Sequence, residues 1–424
     1  MSFGIPVRNG LSIGLLASTF LTSGSGRLVP RLTLNFLTGA PLDSRITFTR
    51  STTATFVGSD GLIQSSAINA PRFDYNPATL APRGLLIEEQ RVNLLLYSEQ
   101  FDNAGWTKTN STITANATTA PDGTVTGDKH IPNLAAILGA GATQTRVQQS
   151  PSATSGTSYT FTIYAKAGEF DQIEFALIAT PSVSALFSLT SGTVVSGTDA
   201  SITPAGNGWY RCTLTATAGA TGALAIRWSA QSSTVSVGNG TSGIFVWGAQ
   251  FEAGAFPTSY IPTVASTVTR TADSAAITGT NFSSWYNASE GTMVAFFNTT
   301  TAVVPAALGA FSVSDATANE RMQIRRGNAN TNASFVVVDG GSSQYNQSVT
   351  AASGPYRSAL AYANGNFRGV NNGTLATAGT GTVPTVTQAE IGFAQGNTYL
   401  NGHLSSITYY ATRLTNAQLQ AVTS

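Results

Sequence analysis

The sequence predicts an all-β protein with two β-sandwich, jelly-roll-like domains in series behind an N-terminal anchoring and assembly segment. Three observations carry this. Apolar residues recur with period two in short runs, as in Ser158–Ala165, where Tyr159, Phe161 and Ile163 share one face. Clusters of Gly, Ser and Asn separate these runs, and no stretch before the C-terminus keeps a helical period. Hydrophobic residues make up 42% of the chain, enough for real cores, while charged residues make up only 10%, so hydroxyls and amides must supply much of the polar surface.

Taken in order, residues 1–40 read as a docking segment and 41–98 as an assembly or linker segment of short pieces broken by Gly and Pro. This second segment ends in the apolar runs Leu85-Leu86-Ile87 and Leu94-Leu95-Leu96, more than a free linker would expose. Residues 99–262 form the first sandwich, with strands expected at 158–165, 170–178, 185–189, 209–215, 224–228 and 244–251. Trp106, Trp209, Trp228 and Trp247 lie in or beside these patterns, and at least three of them read as core. Residues 256–273 read as an extended linker, held so by Pro257 and Pro262. Residues 263–424 form the second sandwich, with strands at 292–297, 310–313, 321–325, 334–338, 358–362, 365–370, 391–393 and 403–410. One helix closes the chain, with Thr415 as N-cap and Gln418 as its capping-box partner. A boundary at residue 40 implies that residues 2–40 could be removed with both sandwiches intact.

Charge and reactive residues exclude several function classes. A net charge of +1 offers no basic face, so no nucleic-acid partner is expected. The single cysteine, Cys212, rules out a disulfide framework and reads as a small buried apolar residue. His130 and His403 are the only histidines and stand far apart, so no HExxH or Ser-His-Asp pattern can be written. The apolar stretch Leu11–Leu21 has the outline of a signal peptide. It is too short for a bilayer, which needs about 20 residues; no membrane span is expected, and the stretch reads as a docking element.

Several phrases resemble a known family. They are Phe48–Phe56, Asp60–Ile63, Pro71–Asp74, Gly84–Leu94 with Tyr97–Asp102 and Trp106, then Pro257–Pro262 and Val268–Asp273. Together they resemble tail-fibre and head-spike-fibre proteins of phages, prophages and gene transfer agents, over about residues 45–424. The resemblance implies that the phrases flank a carbohydrate-binding-type jelly roll. It also implies that the last zone, ending Leu404–Asn416, is a concanavalin A-like or laminin-G-like domain. Val7–Leu15 resembles a virion-docking terminus. The family implies a virion-surface location, at a capsid vertex or tail, and host-surface polysaccharide as one partner. A capsid, spike-base or tail protein would be held through the N-terminus, and the assembly would be a homotrimer.

Sugar recognition needs aromatic platforms and amide or hydroxyl groups. The candidates are Trp285, Tyr286, Tyr345, Asn346, Tyr356, Arg357, Asn371, Asn372, Tyr399 and Asn401, all in or beside turn-rich stretches of the last domain. No cofactor is expected. Calcium needs six to eight oxygens, and Asp122, Asp128 and Glu252 form the best candidate set. Glycoside cleavage needs two carboxylates on one site. Glu88 and Glu89 are adjacent and point to opposite faces of a strand, as do Asp171 and Glu174. No acid pair is therefore legible, and a binding protein is expected rather than an enzyme. The other readings are a purely structural decoration or shaft protein, and a glycan-degrading tailspike.

Overall fold

The computed structural model describes residues 28–39, 41–133, 145–178, 182–234, 238–299, 307–327, 332–350, 354–394 and 398–424. Their regular secondary structure is almost all β-strand, mainly in two antiparallel sandwiches.

The first sandwich pairs two six-stranded sheets. One runs in the order Ala200–Pro204, Trp209–Thr217, Ser158–Lys166, Ile244–Ala253, Gly127–Pro132, Ser111–Thr118. The other runs Thr193–Ser196, Val183–Ser188, Gln172–Ile178, Ala225–Gln231, Arg146–Gln149, Thr107–Thr109. Tyr159, Phe161 and Ile163 all enter the core between the sheets, as their alternation requires. Phe101, Trp106 and Trp228 meet edge to face at its centre, with ring centroids 4.8 to 5.4 Å apart. All four tryptophans named above are buried, and so is Cys212.

The second sandwich has a seven-stranded and an eight-stranded sheet, and it takes in more of the chain than residues 263–424. In the eight-stranded sheet, Gly402–Tyr410 pairs with Glu290–Thr299 on one side. On its other side it pairs with Leu32–Asn35 and, further along, with Pro82–Ile87. In the seven-stranded sheet, Thr47–Thr49 forms the edge beside Ser274–Thr278. The expected docking and linker segments thus contribute strands to the C-terminal domain. Leu32, Leu34, Phe36, Phe48, Leu85 and Ile87 are all part of its core. The apolar runs of residues 85–96 are satisfied within the chain: Leu95 enters the first core, while Leu85 and Ile87 enter the second.

Gly84 permits this insertion. Its φ of +108° lies in the region glycine tolerates, and a Cβ there would stand 2.0 Å from the carbonyl oxygen of Leu404. The C-terminal helix forms at Asn416–Val422, and both hydrogen bonds of the Thr415/Gln418 capping box are present. The docking stretches Val7–Leu15 and Leu11–Leu21 lie outside the described residues. Among the described residues, no helix is long and apolar enough to cross a membrane.

The core position of Leu32, Leu34 and Phe36 generates a prediction. Removing residues 2–27 spares these three side chains and gives the reference truncation. Removing residues 2–40 should lower stability by several kcal/mol, because each buried large apolar side chain contributes about 1.5–3 kcal/mol. Equal melting of the two truncations would contradict the strand assignment.

Candidate functional site

Five of the phrases singled out in the sequence converge on one place, the joint between the sandwiches. Asp273 is its centre. One carboxylate oxygen accepts from Arg50 Nη1 at 3.0 Å. The other accepts from Arg72 Nη2 at 2.5 Å and from the backbone N–H of Glu88 at 2.9 Å. Glu88 accepts from Arg72 Nη1 at 2.8 Å and, through both oxygens, from the backbone N–H and hydroxyl of Ser259. Arg270 Nη2 lies 3.5 Å from Glu88 and donates to the Glu89 carbonyl. All five charged side chains are buried. Three cations thus surround two anions, and backbone or hydroxyl groups take up further donors and acceptors.

Neighbouring motif residues complete the joint. Asn93 donates to the carbonyls of Ala249 and Ile261 and accepts from the Phe251 N–H. Buried Glu252 accepts from Thr258 and Gln250. The Tyr260 hydroxyl bonds Ser98 and Glu99. Gly254, at φ +143°, leaves the space that the Arg91 guanidinium fills. The expected linker at 256–273 is therefore a closing segment, and Val268–Arg270 pairs with Arg91–Asn93. Burial opposes ionisation of Glu88, but Arg270, Arg72 and the Ser259 hydrogen bonds outweigh it and hold this carboxyl well below the usual range.

The sequence-derived sugar candidates do not form one surface. Trp285, Tyr345 and Tyr356 are core residues. Trp285 packs on Phe282 and Tyr409, Tyr356 stacks on Phe297, and the Tyr345 hydroxyl donates to the Thr377 carbonyl while accepting from the Gly369 N–H. Tyr286 stacks on Phe282 and packs beside Tyr362. Asn371 is buried and accepts from Ser358. Asn401 is buried beside Glu89, donating to its carboxylate and accepting from its N–H. Tyr399 is half-buried beside Phe393. Arg357 lies over the Phe296 ring, and Asn372 accepts from the Arg357 N–H. The rings of Trp285, Tyr345 and Tyr356 are buried because a large aromatic side chain gains more in a sandwich core than in solvent. Asn346 is exposed and lines a cleft of about 510 Å³ with Arg325, Asn332 and Ser334. A second cleft, of about 490 Å³, is lined by Asn366, Arg368, Arg413 and Thr415.

The calcium candidates are also separated. Asp122 closes a turn on Thr124. Asp128 is buried and accepts the N–H groups of Phe101 and Asn116; burial pushes its carboxyl up to about 6 against those bonds. Asp128 stands opposite Val246, six residues before Glu252 on the same strand, roughly 20 Å at strand rise. Among the described residues, no three His, Cys, Asp or Glu side chains gather as metal ligands do. His130 bonds Ser111 and His403 bonds Asp74, each in a buried setting.

Neither a protein-family model nor a curated protein matches the chain. Solved structures do show similarity. The CBM40 domain of the Ruminococcus gnavus IT-sialidase, bound to α2,3-sialyllactose, is 19% identical over 32% of this chain and 84% of that one, with a TM-score of 0.28. A mutant NanB sialidase from Streptococcus pneumoniae is 13% identical over 34% of this chain and 26% of that one, with a TM-score of 0.29. The leech intramolecular trans-sialidase is 16% identical over 32% and 23% of the two chains, with a TM-score of 0.26.

The joint yields two linked predictions. Replacing Asp273 by Ala leaves Arg50 buried without a carboxylate and Arg72 with Glu88 alone, and should cost about 3–5 kcal/mol in urea unfolding. The folded Glu88 carboxyl lies below its ordinary value of 4.5, so its contribution is present above that pH and is lost as the pH falls below it. Glu88→Gln should flatten the loss of stability below about pH 4.5. An unchanged acid slope, or a loss under about 1 kcal/mol for Asp273→Ala, would contradict the geometry.

Proposed function

We propose that this chain is a virion fibre or spike adhesin of a phage or gene transfer agent, which binds host-surface polysaccharide without cleaving it. The observation that carries the reading is the convergence of the shared phrases. Arg50, Arg72, Glu88, Ser259, Arg270 and Asp273 come from five of the phrases and meet in one buried cluster. A chance likeness of composition would scatter such residues. Their convergence supports a resemblance of architecture, and with it the adhesin function that the fibre family implies.

In this reading the N-terminus docks the chain on a capsid, spike-base or tail protein, at the particle surface. Three copies assemble, so that several weak saccharide sites act together. The protein needs no cofactor. The joint sets the two sandwiches rigidly, and recognition falls to their outer surfaces.

The test uses competition. Soluble full-length chain at saturating concentration should reduce adsorption of particles to host cells several-fold. Undiminished adsorption, with the chain present on the particles, would favour the decoration or shaft reading. Release of reducing ends from purified capsule by the chain would overturn the non-cleaving reading in favour of a tailspike.

A further inference from the structure

The outer face of the seven-stranded sheet carries two arginines, Arg321 and Arg325, that form no ion pair among the described residues. In Arg321–Arg326, Met322 and Ile324 enter the core, so Arg321, Gln323 and Arg325 stand on the opposite face. Cross-strand pairing places Gln323 between Ser312 and Val336, and Arg325 beside Ser334. All 20 Asp and Glu residues of the chain lie among the described residues. None of them forms an ion pair with the partly buried Arg321 or Arg325, in contrast to Arg50, Arg72 and Arg270 at the joint. Glu390, on the same face, accepts from Ser314 and Gln388.

Arg325 donates to Ser334 Oγ at 3.2 Å, while its Nε, the Nε of Arg321, the Nε2 of Gln323 and the hydroxyl of Ser312 are buried without a hydrogen-bond partner among the described residues. Gln323 is 2% exposed and Ser312 fully buried. Burial, and then repulsion from Arg321, lower the affinity of Arg325 for its proton. Unpaired, partly desolvated guanidinium groups are costly unless an anion completes them. Arg325 opens into the cleft of about 510 Å³, which Ala307 and Gly327 also line together with the amides and hydroxyls of Asn332, Ser334, Asn346, Gln347 and Ser348.

Resting on the adhesin reading above, we infer that this cleft is a saccharide site selective for carboxylate-bearing sugars, with Arg325 forking onto the carboxylate and Asn346, Asn332 and Ser348 meeting ring hydroxyls. An Arg fork matches a carboxylate through two parallel hydrogen bonds. The amides and hydroxyls give the alternating donors and acceptors that sugar hydroxyls need. Arg321 adds a second positive charge on the same face without entering the cleft wall.

The experiment is an array of uronate- and sialate-containing glycans, each beside its carboxyl-reduced counterpart, probed with the full chain. The wild-type chain should prefer acidic members, and Arg325→Gln should weaken their binding by about tenfold or more. Arg325→Lys should recover only part of it, because charge remains and the fork is lost. Arg31→Gln, the same charge change at an exposed distant position, should bind like wild type. Thermal melting controls for folding; should Arg325→Gln melt early, Asn346→Ala at its exposed position gives the same readout. Equal binding of acidic and reduced glycans, or wild-type binding by a folded Arg325→Gln or Asn346→Ala chain, overturns this site while leaving the adhesin reading standing. Binding of no glycan by the wild-type chain overturns both.

Discussion

Asp273 and the buried arginines around it are the constraint on which the arrangement of the two sandwiches depends. Removing these charges from water carries a penalty of several kcal/mol for each ion, and close hydrogen-bonded pairing offsets it only in good geometry. Arg72 shows how tightly that geometry is specified. It bridges Asp273 and Glu88 and also donates to the Thr55 carbonyl and the Ser259 hydroxyl. Its partners come from four separate segments of the chain, and a shift in any one would leave a buried charge unpaired. A well-packed apolar joint could be as stable. The ionic joint tolerates few alternative dockings, so its contribution is geometric definition as much as stability.

The same constraint explains why the chain is threaded as it is. The segment from Leu32 to Asn93 gives strands to the C-terminal sandwich, passes through the joint at Glu88, and enters the first sandwich at Leu95. The return crossing runs from Glu252 through Ser259 to Asp273, and from there into Ser274–Thr278. Two crossings held by one buried cluster resist relative rotation better than a single linker. In the proposed adhesin, such rigidity would keep saccharide sites at fixed separations, which favours multivalent binding.

Local signals in the sequence were legible, and long-range pairing was not. The alternation of Ser158–Lys166 and the Val-rich run of Asn332–Asp339 announce strands, and the Thr415 cap marks its helix. Ser111–Thr118 and Ser342–Thr350 escape notice because they are polar strands at sheet edges, where one side lacks a partner and apolar content is low. The strands of three and four residues between 32 and 75 are too short to show a period, and Leu32–Asn35 and Thr47–Thr49 are defined only by pairing with residues hundreds of positions away. Tyr345 and Tyr356 illustrate a different ambiguity: a ring beside a turn suits a sugar platform and a sandwich core equally well until burial decides. Of the candidate site, Asn346 was legible as a polar loop-like residue, whereas Arg325 was hidden inside a strand pattern. Its missing counter-ion is a property of the fold alone.

Calorimetric unfolding of the full chain tests the central claim most directly, that the ionic joint makes the two sandwiches one cooperative unit. The account predicts a single transition whose calorimetric and van't Hoff enthalpies agree. Two resolved transitions in the wild-type chain, each with its own enthalpy, would show that the sandwiches unfold independently and would contradict it.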